Sequence, residues 1–342
     1  MLIAYILLAF LCIHRIKLLS FNWDYCSREQ TTSIKGIFVI LVFLSHFSSY
    51  VTWTGNKLDE VFRILNSWIG QLMVVMFLFY SGFGIYRKIM ENQGGYIKGF
   101  LKKRFLPVWG QFAICVGLFL VMDLVIGRLS SYSIGHIILS FTGWTSIGNS
   151  NWFMFDTFAL YLLVFFSFIK SLPSKSNLIL FSASSCALTA ILFFTKQSYW
   201  WNTLLAFPLG MWFAQYKEEI DVFLQNPKNH LIVSIPVISL FLILFRIYLR
   251  FGLDIGYILL SLLFALSVAL LTMKIKIRNK ILYFFGSHVF SIYILQRIPM
   301  ILLQDKIDNR YLYLCICFIT TIIISVLFDR AFSVARSRIV GK

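Results

Sequence analysis

The stretch from Ile34 to Trp53 reads IKGIFVILVFLSHFSSYVTW, and Lys35 and His46 are its only basic side chains, with no acid among them. About 20 mostly apolar residues is the length an α-helix needs to cross the hydrocarbon core of a bilayer. The apolar positions are continuous rather than alternating, and they are rich in Leu, Ile and Phe, which argues for helix over strand. The same pattern recurs along all 342 residues. It predicts eleven spans, at about 1–19, 34–53, 68–86, 105–126, 152–169, 178–194, 199–215, 231–249, 255–272, 281–303 and 311–328. The pair 178–194 and 199–215 is separated only by the short loop Thr195–Ser198.

Composition leads to the same class. Hydrophobic residues are 59% of the chain and charged residues 13%, against about 25% charged in soluble domains. Mean hydropathy is +0.81. Apolar surface on this scale must face lipid, where only helices or a closed barrel satisfy the backbone. The expected fold is an all-α polytopic membrane protein, one integral domain over residues 1–342. The first span has no positive charge before it and no small-residue cleavage site, so it reads as a membrane helix rather than a signal peptide.

The formal net charge of +17 would point to nucleic acid in a soluble protein. Here the cations lie between spans, so topology and anionic lipid account for them, and no nucleic-acid partner is expected. Arg87, Lys88, Lys98, Lys102, Lys103 and Arg104 follow the third span; Lys274, Lys276, Arg278 and Lys280 follow the ninth; Arg330, Arg336, Arg338 and Lys342 follow the last. Loops after even-numbered spans hold fewer: Lys57 and Arg63, Arg128, Lys196, Arg250, then Lys306 and Arg310. The positive-inside rule then puts the N-terminus outside and the C-terminus in the cytoplasm. Cys12, Cys26, Cys115, Cys186, Cys315 and Cys317 show neither CxxC nor zinc spacing, so neither a disulfide framework nor a metal is expected.

Ionisable groups inside lipid cost roughly 2.5–3.5 kcal/mol each on insertion scales and need a reason. Lys35 and His46 are eleven residues apart, close to three helical turns, hence on one face with about 16 Å between them. A cation at the inner mouth can hold an anionic donor, and a neutral imidazole above it can act as general base. The plainer alternative is a snorkelling Lys35 and a His46 bonded between helices. Asp156, near the outer end of its span, lies at a depth compatible with His46. A carboxylate on one ring nitrogen would fix the tautomer, or Asp156 simply favours a helix first turn. The loop Gly127–Asn151 is poor in charge and rich in Ser, Gly, Trp and Asn; it suits a neutral polar ligand such as a sugar, or else an interface loop. Trp53, Trp68, Trp152, Trp200 and Trp201 fall where an aromatic belt is expected.

Several segments together resemble acyltransferase family 3, membrane-bound O-acyltransferases of surface glycans. Ile34-Lys35-Gly36-Ile37 followed by Leu41-Val42-Phe43-Leu44-Ser45-His46-Phe47 resembles the family's opening helix, an Arg or Lys, ten residues, then His. Further segments agree in order. They are Met76–Phe83 with Ser81-Gly82, Phe100–Pro107, Asn151-Trp152-Phe153 with Tyr161, Phe207-Pro208-Leu209-Gly210, and Gly286 with Ser291-Ile292-Tyr293-Ile294-Leu295. The resemblance runs from residue 31 to about 330 and implies a ten-helix core, with the first span as an extra N-terminal helix.

It further implies a multi-pass plasma-membrane enzyme that moves an acetyl group from cytosolic acetyl-CoA to a glycan hydroxyl, with no metal. Lys35 and Arg104, joined by Lys103, would meet the donor's phosphates, and His46 with Asp156 would carry catalysis. Trp152, Tyr161, Ser81, Ser291 and Tyr293 would contact substrate. Stacking on a sugar by Trp152 and Tyr161 competes with belt and packing roles, and Ser81 and Ser291 also suit helix contacts. Two positions depart from the family pattern: Pro107 stands where some members have a second Arg, and Gln296 where many have His. A transporter or flippase for a lipid-linked glycan is the rival class; it calls for inverted repeats and broken helices. A membrane anchor or sensor leaves the Lys35–His46 face without a purpose.

Overall fold

The computed structural model describes residues 2–14, 16–53, 55, 57–170 and 174–340. Met1 and Arg15 of the first expected span, and Lys342 of the C-terminal cations, lie outside them. The chain opens with α1 (Leu2–Ile13) and a short strand, β1 (Ile16–Leu18). Twelve residues rise only about 18 Å, so the first expected span is helical over roughly half the hydrocarbon thickness. A chain reversal and strand follow because β1 pairs antiparallel with a later strand, β2 (Ile275–Ile277).

The membrane-length helix α2 (Arg28–Ser48) begins at Ser27, whose Oγ accepts the Gln30 N–H at 3.2 Å, satisfying one of the free donors of the first turn. Next come α3 (Lys57–Ile69), α4 (Leu72–Lys98), a π-helical turn at Leu101–Phe105, and α5 (Leu106–Val125). Pro107 sits in the first turn of α5, where its missing N–H costs no helical bond. The rest are α6 (Ile134–Ser140), α7 (Trp152–Phe168), α8 (Ser174–Thr195), α9 (Ala206–Gln215), α10 (Lys217–Leu224), α11 (Pro227–Phe251) and α12 (Asp254–Thr272). After β2 follow α13 (Lys280–Ser287), α14 (Val289–Leu295), α15 (Arg297–Leu303) and α16 (Arg310–Val340).

Among the described residues seven helices are long and apolar enough to cross a membrane, and eight if the run α13–α15, bent by 62°, is one span. The chain is thus an all-α multi-pass membrane protein. The expected span 199–215 is helical only over the ten residues of α9. The stretch before it is irregular and buried, and Trp200 and Trp201 are 5% and 3% exposed. They therefore pack against protein rather than face lipid. Irregular backbone is tolerated in apolar surroundings where protein covers it.

Two glycine pairs set the helix packing that builds the site. A Cβ on Gly36 of α2 would fall on the Leu282 carbonyl of α13, and one on Gly286 would fall on the Thr32 carbonyl of α2. Gly82 of α4 and Gly210 of α9 approach the Phe207 and Phe79 carbonyls in the same reciprocal way. Lipid is as apolar as a leucine surface, so close backbone approach of this kind holds membrane helices together. The first pair carries α14 toward α2; the second brings Phe207 under α4.

One end of the bundle carries the antiparallel β1–β2 ladder, whose two strands come from distant parts of the chain. Asn22 Nδ2 donates to the Thr272 and Ile275 carbonyls at 3.0 and 3.1 Å. Gln30 accepts from the Ile277 N–H at 3.0 Å and donates to the Ile275 carbonyl at 3.2 Å. Lys276 pairs with Asp24 and holds its carboxyl below the usual carboxylate range. The opposite end carries the loop 127–151. Asn151 Nδ2 donates to the Gly143 carbonyl at 2.9 Å, and Gly143 adopts φ +79°, which favours glycine. The loop is thereby folded back onto the start of α7.

Candidate active site

Lys35 and His46 stand on one unbroken helix, α2, and each lines a different cavity. The first cavity, about 300 Å³, lies toward the β1–β2 end and is lined by Lys35, Arg104, Ser81, Tyr161, Phe153 and Tyr293 among others. The second, about 220 Å³, lies further along α2 and is lined by Ser45, His46, Gln71, Trp152 and Tyr293 among others. Tyr293 is common to both. Its ring centroid is 6.1 Å from that of His46 and 5.3 Å from that of Phe153, so these aromatics form the wall between the chambers.

The first cavity gathers two cations without an acid on its walls. Arg104 reaches it from the π-helical turn, with Nε 3.4 Å from the Tyr96 hydroxyl. A π turn inserts one residue into the helical register and so turns Arg104 away from the direction an uninterrupted helix would give it. Lys103 and Arg104 are both largely exposed, but only Arg104 lines the cavity. Ser81 and Tyr161 meet there, hydroxyl to hydroxyl, at 3.3 Å. Tyr161 therefore lies in the same cavity as the two cations.

The second cavity is rich in polar atoms without partners. His46 Nδ1 is buried and unbonded, and so are both carboxylate oxygens of Asp156, which is 0% exposed. The expected His46–Asp156 hydrogen bond is not formed. Asp156 instead acts electrostatically on Tyr293, beside which Ser150 also stands. Buried polar groups are nearly always hydrogen-bonded, so the free His46 Nδ1 and Tyr293 hydroxyl, both on the wall of this cavity, are available to a bound molecule; Asp156 lies behind that wall and does not line the cavity. Trp152 lines this chamber. Ser291 faces elsewhere: its Oγ donates to Asp329 Oδ2 at 2.8 Å, beside His288, whose Nδ1 is 2.5 Å from the same oxygen. It lines neither cavity.

Arg297 acts on the second chamber from behind its wall, without lining it, and was not among the expected residues. It opens α15, its Nε is buried without a partner, and its charge reaches both His46 and Tyr293. Its place inside the apolar span 281–303 was a legible signal, because a charge in such a span needs a purpose. Gln296 beside it is fully buried and bonded through Nε2 to the Tyr293 carbonyl at 3.1 Å.

The arrangement can hold an anion at one end, pass a narrow chain toward Tyr293, and offer a proton acceptor with a nearby guanidinium beyond it. Neither a curated protein nor a solved structure matches the chain. The family model described as an acyltransferase domain matches residues 32–330, a stretch that includes Lys35, both cavities and Arg297. The chain belongs to acyltransferase family 3.

Proposed function

We propose that the protein is an O-acyltransferase of the plasma membrane, moving an acetyl group from cytosolic acetyl-CoA to a hydroxyl of a surface glycan or its lipid-linked precursor. The carrying observation is the pair of chambers strung along α2, a cationic one at Lys35 and an unsatisfied polar one at His46, divided by Tyr293. The cation-rich β1–β2 end faces the cytoplasm under the positive-inside rule. Lys35 and Arg104 meet the donor's phosphates, and the long pantetheine arm suits the roughly 16 Å rise between Lys35 and His46.

In the second chamber His46 takes the proton from the acceptor hydroxyl. The oxygen attacks the acetyl carbon, a C–O bond forms and the C–S bond breaks. The departing thiolate takes the proton back from His46. Arg297 faces the oxyanion that develops on the way, and such groups are worth most where water is excluded. Asp156 and Tyr293 hold the acceptor. The Tyr293 ring must yield for donor and acceptor to meet directly.

Incubating the purified protein with acetyl-CoA and a glycan acceptor tests this reading through acceptor-dependent thiol release. Release that is absent, or unchanged in His46→Ala, overturns it. The break between α13 and α14 is the one feature that favours a flippase, since transporters place broken helices at their sites. A flippase releases no thiol.

A further inference from the structure

We propose that an acidic-sugar subsite lies beside the His46 chamber, built around Lys196 and the indoles of Trp144 and Trp200. It rests on the reading of a glycan acceptor and names the class of sugar recognised, a pyranose carrying a carboxylate.

A third cavity, about 470 Å³, opens at the end of the bundle opposite the β1–β2 ladder. Lys196 enters it from the end of α8. Its Nζ lies 3.5 Å from the Trp144 ring centroid and 4.3 Å from that of Trp200, and donates to the Trp144 carbonyl at 3.3 Å. The two indoles meet edge-on at 5.8 Å. An ammonium over indole faces is held in place electrostatically, and one of its three donors is used. Two remain. Among the described residues no carboxylate pairs with it, and burial alone acts on its titration, lowering it. A fixed, partly buried cation without an anion is a carboxylate receptor, since charge-assisted hydrogen bonds are the strong ones.

The rest of the cavity fits a sugar rather than a simple anion. Asn151, Gln197 and Ser146 line it and offer hydroxyl partners. Trp144 and Tyr199 offer aromatic surface to the apolar C–H face of a pyranose ring. The cavity also adjoins the chemistry, with aromatic rings packed between the two. Tyr199 packs against Trp152 at 5.9 Å, and Trp152 lines the His46 chamber. An acidic residue held at Lys196 thus sets the glycan next to the Trp152 wall of the His46 chamber. A lipid phosphate offers the same charge but makes no use of the amides or of the aromatic surface.

The test is a binding titration, with no acyl transfer read. The full-length protein in zwitterionic lipid nanodiscs is titrated with a glucuronate-containing tetrasaccharide and with neutral chitotetraose. The expected result is at least tenfold tighter binding of the acidic sugar, a preference lost in Lys196→Gln, kept in Lys196→Arg and kept in His46→Ala. Equal binding of the two sugars, or a preference that persists in Lys196→Gln, overturns the subsite. So does a Lys196→Gln effect confined to the retention of phosphatidylglycerol, which would make Lys196 a lipid contact. Because His46→Ala is scored for binding only, failure of the acyltransfer reading leaves this result intact and separable.

Discussion

The rings of His46 and Tyr293 stand 6.1 Å apart, centroid to centroid, on the wall of one cavity near the end of α2. Tyr293 belongs at once to that cavity and to the one holding Lys35 and Arg104. In the proposed reaction a barrier placed there would keep water from the donor until an acceptor arrives, which matters for a thioester that water can also attack.

Removing the barrier should uncouple the reaction. In Tyr293→Ala, acetyl-CoA hydrolysis without acceptor is expected to rise, and transfer to glycan to fall by roughly tenfold, about 1.4 kcal/mol. Tyr293→Phe keeps the wall and isolates the hydroxyl. Thiol release with and without acceptor measures both; an unchanged ratio in Tyr293→Ala would show that the ring divides nothing.

Asp156 is a buried carboxylate without a partner, and burying an unpaired charge is costly. Asp156→Asn should therefore keep or raise the thermal midpoint while lowering transfer by about tenfold or more. A lower midpoint with full activity would make Asp156 a structural residue.

Arg104 and Lys103 are neighbours in sequence but not in role. Arg104→Ala should raise KM for acetyl-CoA several-fold and leave KM for acetyl-pantetheine, which lacks the nucleotide phosphates, little changed. Lys103→Ala should leave both near wild type, because Lys103 does not line the cavity. Equal effects of the two substitutions would mean that surface charge, not a pocket, attracts the donor.

The reciprocal glycine contacts carry the packing. Gly36→Ala, Gly286→Ala, Gly82→Ala and Gly210→Ala each set a methyl against a backbone carbonyl, and overpacking of this kind costs roughly 1–3 kcal/mol or more. Gly84 has nothing within 4 Å of its Cβ position, so Gly84→Ala should be neutral or stabilising by up to about 1 kcal/mol. Thermal midpoints in detergent compare the five; equal losses at Gly36 and Gly84 would refute the close-approach account.

The membrane class, the long apolar helices and the α2 stripe were legible because lipid demands long apolar runs and helical period aligns residues eleven apart, whereas eleven spans were expected and seven or eight helices of membrane length are present among the described residues. What was hidden depended on tertiary context. The buried irregular stretch around Trp200 and Trp201 reads as an interfacial helix because indoles serve in both places. The π turn that presents Arg104 adds a residue without a sequence mark. Ser291 looked like a site hydroxyl until Asp329, 38 residues away, was found to claim it. The His46–Asp156 pairing followed from matched depth, but depth says nothing about azimuth, and Tyr293 stands near both. Arg297 needed only the same rule that singled out His46.

The most direct test of the account is the mass of an acceptor glycan after incubation with purified protein and acetyl-CoA, wild type against His46→Ala. The expected result is an acetyl increment with stoichiometric thiol release for wild type, and a loss of at least about 100-fold in His46→Ala, the lower range for a general base. A full acetyl increment from His46→Ala would contradict the central claim.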